Sequence, residues 1–400
     1  MNLPFFSIIV CTRNRPDILQ CCILALKNQS FKDFEVILSD NSDHDIQELN
    51  SSFIKKLNFK QLKYIKPERK LNMHENYNFG LKQANGQYIG VLTDKNLFKK
   101  HALRDLSFVV CNKKVDIINY NHGGCRWYPN KLLFKWILDS TEVNPIVEPY
   151  SPEQELLRRF NLSENIRREG VRYNFGKIFF GFYHYSLIQK IIESYGHVFH
   201  PISPDYTSTV LALNLAKEAI FYHKKIMIAV NNYFGTGYSG QTKPNFTLNF
   251  IENCVEDSLI VLKSLPIPYV YTLHNLCAYD YLILKRLGNT KYNLNIKNLV
   301  YLTQEDLQIF PYSSEEEKIK FLDYFDNFTK INKIEIDYST PNNNLADIKN
   351  EKIIKNNFIT TYIKCLIKFI FRVNKIAFLK CKYTEFCRNY ISLNTLLKYN

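Results

Sequence analysis

The sequence has few of the residues that mark fibrous or disordered proteins. Its 400 residues include only 13 glycines and 14 prolines, against 29 phenylalanines and 27 tyrosines. Disordered chains are poor in aromatic residues, and collagen-like or low-complexity chains are rich in glycine and proline. The composition excludes those classes. With 46% hydrophobic residues, it supports one large domain with additions, or two domains.

The sequence also lacks a disulfide framework, a leader and a membrane span. Its ten cysteines show no CxxC pair and no histidine spacing of the kind that zinc sites need. The N-terminal MNLPFFSIIVCTRNRP has neither the basic start nor the long apolar core of a signal peptide. No stretch of 18 residues is free of charge. We therefore expect free thiols in a reducing compartment and a cytoplasmic protein.

The formal net charge of +14 indicates an anionic partner, which is nucleic acid, an acidic lipid or a phosphorylated small molecule. The alternative is a solvated basic surface without a specific partner. No nucleic-acid-binding motif is recognisable, so we do not expect nucleic acid.

The first 120 residues alternate between strand and helix patterns. Short apolar runs, typical of buried parallel strands, occur at 5–11, 34–40, 59–66, 87–93 and 115–120. Helical patterns lie between them, at 15–29, 45–57, 73–86 and 101–112. Strands separated by such helices predict an α/β fold with a mostly parallel, doubly wound sheet.

Beyond residue 150 the patterns are mainly helical. A helix opens at 151–160, with Ser151 as its N-cap and Pro152 in its first turn. We then expect a mixed region ending in a helix, a pair of strands, and a helical stretch, at 177–196, 219–230 and 245–330.

The segment 358–382 carries a regular stripe of cations among apolar residues. On a helix one face would hold Lys364, Lys368, Arg372, Lys375 and Lys382. This pattern is typical of a helix lying in a membrane interface, with its basic side toward anionic headgroups. The alternative is a terminal helix packed on the protein. We expect peripheral binding to the inner face of the cell membrane.

Polar residues follow three of the predicted strands. They are Thr12–Pro16, Asp40–Ser42 and Thr93–Asn96. In an open α/β sheet, ligands bind beyond the carboxyl ends of the strands, where the topology switches. A carboxylate at the end of a buried strand costs desolvation unless it meets a ligand or a donor. The set predicts a pocket, although either carboxylate alone could cap the turn that follows it.

The segments FSIIVCTRNRPDILQCCILALKNQSFKDFEVILSDNS and ENYNFGLKQANGQYIGVLTD carry a resemblance to a known family. Together they resemble the nucleotide-sugar half of family 2 glycosyltransferases of the GT-A fold, continuously over residues 4–105 and loosely again at 200–213. The resemblance implies an enzyme of surface-polysaccharide synthesis. It would move a sugar from a nucleoside diphosphate to a glycan or lipid-linked acceptor, with inversion. A non-catalytic sugar-nucleotide-binding partner in a membrane assembly is the alternative.

The resemblance also implies a division of the chain. Residues 1–240 would form the GT-A domain, with a nucleotide-sugar half at 1–120 and an acceptor half at 121–240. A helical extension, a linker and the basic amphipathic segment would follow, at 241–339, 340–357 and 358–400.

Several nucleotide contacts follow from the same resemblance. Thr12 and Asn14 would touch the nucleotide. Asp40 would accept a hydrogen bond from the ring N–H of the base, which favours uracil or thymine and hence a UDP-sugar. Arg69 or Lys70 would also reach the nucleotide, unless both are solvated loop charges.

The acceptor side is predicted from fewer residues. Asp205 matches the acidic residue that serves the family as general base, although an aspartate there could simply cap a helix. The aromatic segment 179–186, with His184, would form the acceptor wall or else belong to the core. In the nucleotide-sugar half, Asn76 and Asn78 would lie near the pocket or on the surface.

LTDKN (92–96) departs from the family, which usually has two or three acids here, the last binding Mg²⁺ or Mn²⁺. Asp94 matches an earlier acid and Lys95 the later one. Three alternatives follow. Lys95 itself neutralises the leaving diphosphate. Asp94 holds the metal together with the phosphates. Or the chain binds donor without turnover.

Overall fold

A ten-stranded sheet forms the centre of the structure, a computed structural model that describes residues 3–111, 114–126, 137–138, 144–231 and 235–336. The strands are β1 (Phe6–Thr12), β2 (Phe34–Asp40), β3 (Leu62–Ile65), β4 (Tyr88–Val91), β5 (Leu97–Phe98), β6 (Ile117–Arg126), β7 (Ile137–Leu138), β8 (Val147–Tyr150), β9 (Gly181–His184) and β10 (Ala219–Asn231). Their order across the sheet is β3-β2-β1-β4-β9-β6-β10-β5, with β7 beside β6 and β8 beside β10.

Most of the long strands run in one direction. β1 pairs in parallel with β2 and β4, β2 with β3, and β6 with β10. β9 lies between β4 and β6 and is antiparallel to both. The predicted mostly parallel α/β sheet is therefore confirmed. The antiparallel β9 comes from the segment that the sequence pattern described only as mixed.

Helices connect the strands and follow the sheet. In the first part of the chain they are α1 (Pro16–Lys27), α2 (His44–Leu57), α3 (Met73–Leu81), α4 (Ala102–Val110), α5 (Pro152–Asn161), α6 (Tyr185–Tyr195) and α7 (Pro204–Leu215). Short 3₁₀ turns lie at Ile166–Arg168, Gly170–Asn174 and Ile178–Phe180. After β10 come α8 (Thr236–Thr242), α9 (Phe246–Cys254), α10 (Ser258–Ser264), α11 (Leu273–Tyr281), α12 (Ile283–Arg286), α13 (Ile296–Ile309) and α14 (Glu315–Ile331).

Local chemistry explains where some of these elements begin and end. The predicted cap of α5 is present, because the Ser151 hydroxyl accepts a hydrogen bond from the Gln154 N–H at 3.3 Å. The pair of strands expected at 219–230 is wrong. The structure has one strand, β10, whose register shifts after Tyr222, where polar residues interrupt the apolar pattern.

The predicted end of α3 near Gly86 is also wrong, since the helix ends at Leu81. Gly86 does not cap α3 but allows the chain to pack closely against β1. Its N–H donates to the Ser7 hydroxyl at 2.7 Å, and a Cβ there would lie 2.5 Å from the Ser7 backbone nitrogen. Only glycine allows the chain to approach β1 so closely before β4 begins.

Residues 1–334 form one compact unit, which includes the helices that follow the sheet. α11 packs on α7, where the rings of Tyr281 and Tyr206 lie 6.0 Å apart. No helix among the described residues is long and apolar enough to cross a membrane. The predicted linker at 340–357 and the basic segment at 358–400 lie outside the described residues, so both stay predictions.

We expect Gly181→Ala to destabilise the protein because β9 crosses the centre of the sheet there. An added Cβ would lie 2.3 Å from the Ile118 carbonyl oxygen and 2.4 Å from the Asn119 side-chain nitrogen. Overpacking of this kind costs about 1–3 kcal/mol of unfolding free energy, measurable by urea denaturation. Gly124→Ala in β6 is the matched control, since a Cβ there meets nothing within 4 Å. Equal stability of the two variants would contradict the prediction.

Candidate functional site

The loops after β1 and β2 are tied to each other. The Asn14 N–H donates to the Ser42 hydroxyl at 2.8 Å. The Asn14 side chain donates to the Asp43 carboxylate at 2.8 Å and accepts from the Asp43 N–H at 2.9 Å. Asn14 has a positive φ of 56°, which asparagine tolerates better than most residues. The two predicted nucleotide loops therefore form one rigid edge beside the sheet.

Asp40 lies at the end of β2 with no exposed surface. Its carboxylate accepts hydrogen bonds from the Ser42 N–H at 3.0 Å, the Asn50 amide at 2.8 Å and the Tyr64 hydroxyl at 2.7 Å. These three donors compensate for the burial of the charge. In this structure Asp40 orders the loop after β2, and its contact with a base stays a prediction.

The loop that carries Arg69 and Lys70, the two predicted nucleotide cations, contacts the same edge of the sheet. The Asn41 side chain donates to the Leu71 carbonyl at 2.8 Å and accepts from the Leu71 N–H at 3.0 Å. Lys70 lies 3.5 Å from the Asp43 carboxylate, and Arg69 lies 2.6 Å from Glu75 at the start of α3. Both cations are exposed and engaged with carboxylates. They lie where an anionic ligand beyond β2 could exchange with those partners.

Asp94 lies beyond the end of β4, beside β1. Its carboxylate accepts from the Thr12 hydroxyl at 2.9 Å and lies 3.3 Å from the Arg15 guanidinium. Burial raises the pKa of Asp94, and Arg15 and Thr12 oppose the rise. The parallel neighbours β1 and β4 thus bring Thr12 and Asp94 together, as expected of adjacent strand ends.

Lys95 adds a second cation to this cluster. Burial and the nearby Arg15 lower the pKa of Lys95, while Asp94 acts in the opposite direction. With all three groups charged, Asp94, Arg15 and Lys95 carry one negative and two positive charges. The cluster therefore has a net positive charge, which a bound anion would balance. A bound diphosphate would favour the ammonium form of Lys95.

These residues do not fit a tightly held divalent cation. Among the described residues, no group of three His, Cys, Asp or Glu side chains could hold a metal. Both oxygens of the Asp94 carboxylate already face donors, and the cluster is positive. The buried oxygens of Thr93 Oγ1 and Asn96 Oδ1 have no hydrogen-bond partner, but neutral oxygens do not offset that charge.

Helix α3 connects this region to the other half of the site. The Asn76 side chain accepts from the Ser39 hydroxyl at 2.6 Å, on β2. Asn78 donates to the Phe199 carbonyl at 2.7 Å and accepts from the Phe199 N–H at 3.2 Å, shortly before α7. Both predicted asparagines therefore hydrogen-bond α3 to other parts of the chain, Asn76 to β2 and Asn78 to the segment before α7. Tyr77 lies between them and is buried.

Asp205 lies in the first turn of α7 and forms an ion pair with a lysine that has no exposed surface. Its carboxylate lies 3.3 Å from the Lys177 ammonium, and 28% of the Asp205 side chain is exposed. The same ammonium lies 3.5 Å from the centre of the Tyr173 ring and 3.9 Å from that of Tyr206. The two aromatic faces and one carboxylate replace the water that the cation loses.

The helical extension supports the chain just before Asp205. Asp280 of α11, fully buried, accepts a hydrogen bond from the Ile202 N–H at 3.0 Å. Burial raises the pKa of Asp280 to about 7, and the nearby Asp205 carboxylate adds to the rise. Its other oxygen, Oδ2, has no hydrogen-bond partner. The extension is therefore part of the framework that positions Asp205.

Tyr77 lies near both carboxylates. Burial raises the pKa of Tyr77, and Cys11, Asp94 and Asp205 add to the rise, while Arg15 opposes it. Asp94 and Asp205 come from distant parts of the sequence, and both act electrostatically on the Tyr77 hydroxyl. The structure thus brings Thr12 together with Asp94 and Lys95, and α3 connects this cluster to the segment that leads to Asp205.

His184 does not join this group. It ends β9 and pairs with Tyr88 at the amino end of β4, whereas Asp94 follows the carboxyl end of β4. Its ring accepts from Ser186 as the N-cap of α6. The predicted role of His184 in the acceptor wall is not supported, because β9 runs antiparallel and carries His184 to the opposite edge of the sheet.

Sequence reasoning missed Arg15, Lys177 and Tyr77. Arg15 belongs to TRNRP, a segment already singled out, but the role of its charge depends on the approach of β4. Lys177 precedes the apolar run IFFGF, and an isolated lysine beside such a run is a signal of a buried, paired cation. Nothing in the sequence separates Tyr77 from the other tyrosines.

A family model for glycosyl transferase family 2 matches residues 7–192. GalNAc(5)-diNAcBac-PP-undecaprenol beta-1,3-glucosyltransferase of Campylobacter jejuni is 32% identical over 104 residues, 26% of this chain and 34% of that protein. An uncharacterized glycosyltransferase of Methanocaldococcus jannaschii is 25% identical over 158 residues, 38% of this chain and 49% of that protein. The chain therefore spans about a third to a half of the length of these curated relatives.

Solved structures also match. The crystal structure of S. aureus TarS 1-349 in complex with UDP-GlcNAc has a TM-score of 0.43 and 15% identity, covering 83% of this chain and 93% of that chain. The longer S. aureus TarS crystal structure has a TM-score of 0.41 and 16% identity, covering 82% of this chain and 53% of that chain.

We expect Asp205→Asn to lower stability by about 1–3 kcal/mol, because it leaves the Lys177 ammonium buried without a counter-charge. The partial exposure of Asp205 keeps the loss below that of a fully dry pair. Lys177→Met, which removes the cation and keeps the packing between the tyrosines, should be nearly neutral. The double variant should regain most of the lost stability in urea unfolding. Additive losses in the double variant would show that the pair is not coupled.

Proposed function

We propose that this chain is an inverting glycosyltransferase, because a family model for glycosyl transferase family 2 matches residues 7–192. It moves a sugar from a nucleoside diphosphate, a UDP-sugar by the resemblance at Asp40, to a glycan or lipid-linked acceptor. The observations that carry the proposal are the contacts of Asp94 with Thr12 and Arg15 at the adjacent ends of β1 and β4 and the ion pair of Asp205 with Lys177. Asp94 lies in a cationic cluster, and the side chain of Asp205 is partly exposed.

Asp205 is the proposed general base. Its carboxylate takes the proton of the acceptor hydroxyl while that oxygen attacks the anomeric carbon of the donor sugar. The bond from the anomeric carbon to the diphosphate oxygen breaks on the opposite face, and the diphosphate leaves with the electron pair. Lys177, 3.3 Å from the carboxylate, holds the proposed base in place.

Arg15 and Lys95 are the proposed partners of the leaving diphosphate. Negative charge grows on the diphosphate as the bond breaks, and fixed cations in a water-poor site stabilise that charge without reorganising. Asp94 orients Arg15 through its contact at 3.3 Å. Family 2 enzymes commonly use a divalent metal, but the donor set around Asp94 does not fit one, and we derive no step through it.

The nucleotide is proposed to lie along the edge formed by the loops after β1, β2 and β3. Thr12, Asn14 and the Arg69–Lys70 pair line that edge, and hydrogen bonds already fix its shape. The acceptor is proposed to be carbohydrate of a cell-surface polysaccharide. Peripheral membrane attachment through 358–382 remains a proposal from the sequence.

We expect Asp205→Asn to slow release of UDP from a UDP-sugar by about 10²- to 10⁴-fold, because water also needs a general base when it replaces the acceptor. UDP binding, followed by thermal shift, should remain. The double variant Lys177→Met/Asp205→Asn controls for stability, and Asp323→Asn on the exposed face of α14 controls for loss of one carboxylate. A wild-type protein that binds UDP tightly but turns over no donor would instead be a non-catalytic binding partner.

We expect Lys95→Met to lower the rate about 10- to 100-fold at saturating Mg²⁺, because the leaving diphosphate loses one of two cations. The wild-type protein should keep its rate in excess chelator. Lys95→Asp, which restores the acidic pair usual in the family, should need Mg²⁺ or Mn²⁺. Lys100→Met, an exposed lysine nearby, is the control. Complete loss of wild-type activity in chelator, restored by Mg²⁺, would reject this role of Lys95.

A further inference from the structure

Three aromatic rings from separate elements form a continuous strip beside Asp205. The ring of His122, on β6, stacks on Phe180 with centroids 4.8 Å apart and planes at 28°. Phe180 in turn contacts Tyr173 edge to face, with centroids 5.8 Å apart. All three side chains are partly exposed. We define His122, Phe180 and Tyr173 as the aromatic strip.

The strip begins at the proposed base. The Lys177 ammonium lies 3.5 Å from the centre of the Tyr173 ring and 3.3 Å from the Asp205 carboxylate oxygen. The ring centre is therefore less than 7 Å from that oxygen. A pyranose ring is of comparable size, so a sugar lying on the strip would have a hydroxyl within reach of Asp205.

The exposure of these rings is not a by-product of core packing. Their neighbours along the same segment, Phe179 and Phe182, are buried at 7% and 1% exposure and supply the core. Phe180 lies between them and points away from the core, with its ring held at a fixed angle by His122 and Tyr173. A preformed flat apolar surface of this kind costs little entropy when a ligand binds.

One oxygen of a buried side chain beneath the strip lacks a hydrogen-bond partner. Asn174 has no exposed surface, and its side-chain nitrogen lies 3.0 Å from the Tyr120 carbonyl and 2.9 Å from the His122 ring. Its Oδ1 has no hydrogen-bond partner. Buried acceptors are nearly always satisfied, and the donor missing here is one that a hydroxyl group supplies. A polyol is the chemical class that combines hydroxyls with an apolar C–H face.

We propose that the aromatic strip is the acceptor subsite and binds the apolar face of a pyranose ring in a carbohydrate acceptor. This inference rests on the proposed function, because it takes Asp205 as the base. The axial C–H groups of the sugar lie on Phe180 and Tyr173, and its rim of hydroxyls faces Asp205 and the polar groups beside His122. The strip replaces His184 as the acceptor wall on this side of the sheet.

The test measures binding of methyl pyranosides and disaccharides to the full chain in the presence of UDP, by saturation-transfer NMR. We expect signals strongest at ring C–H protons for at least one sugar. Phe180→Leu keeps an apolar side chain but loses the flat face, and should weaken that sugar about five- to tenfold. Phe180→Ala should weaken it at least as much. Phe108→Ala, an aromatic residue 70% exposed on α4, is the control and should leave binding unchanged.

The outcomes separate this inference from the proposed function. UDP affinity and UDP release from a donor report on the donor half, are measured for the wild type, and should be unchanged within about twofold in Phe108→Ala. Sugar binding that is equal in wild type and Phe180→Leu, or no sugar binding to a wild-type protein that turns over donor, would overturn the acceptor subsite and leave the transferase intact. A wild-type protein that turns over no donor but binds a sugar that Phe180→Leu weakens would overturn the transferase and leave a sugar-binding strip. Urea unfolding of Phe180→Leu confirms that it is folded.

Discussion

Helix α3 is the constraint on which the arrangement of the site depends. Through Asn76 it is bonded to β2, and through Asn78 to the segment that leads into α7. Tyr77, between these two asparagines, packs against Phe179 and Phe199, with ring centroids 5.1 and 5.4 Å away. The position of the Asp94 cluster relative to the segment before Asp205 thus depends on one short helix. Small displacements of reacting groups lower rates strongly, so a rigid connection is required here.

The two halves of the site balance charge in opposite ways. On the donor side Asp94 is outnumbered by Arg15 and Lys95, which leaves a deficit that an anion fills. On the acceptor side Asp205 has one cation, and that cation is screened from solvent by aromatic rings. A displacement with inversion needs positive charge at the departing group and a basic group on the opposite face. The distribution of charges therefore matches the direction of the proposed transfer.

Much of the donor half could be predicted from the sequence, because it depends on local patterns. The apolar runs predicted β1 to β4, and parallel neighbours bring the groups at their ends together. Thr12 and Asp94 meet for this reason. The acceptor half depends on β9, a four-residue strand inserted antiparallel between β4 and β6. The sequence of these four residues does not show in which direction the strand runs. The antiparallel direction is what places His184 at the opposite edge of the sheet. The sequence signals that Lys177 is a buried, paired cation, but it does not identify Asp205 as its partner, because the ion pair joins separate elements.

The helical extension is part of the acceptor half and not an independent addition. Asp280 is buried against the backbone that precedes α7, and Tyr281 packs on Tyr206 in the first turn of α7. Tyr206 in turn covers the ammonium of Lys177, which pairs with the partly exposed Asp205 carboxylate. A contact chain thus runs from α11 through Tyr206 and Lys177 to Asp205. The predicted boundary near residue 240 divides the sequence patterns, but the position of Asp205 depends on residues from both sides of it.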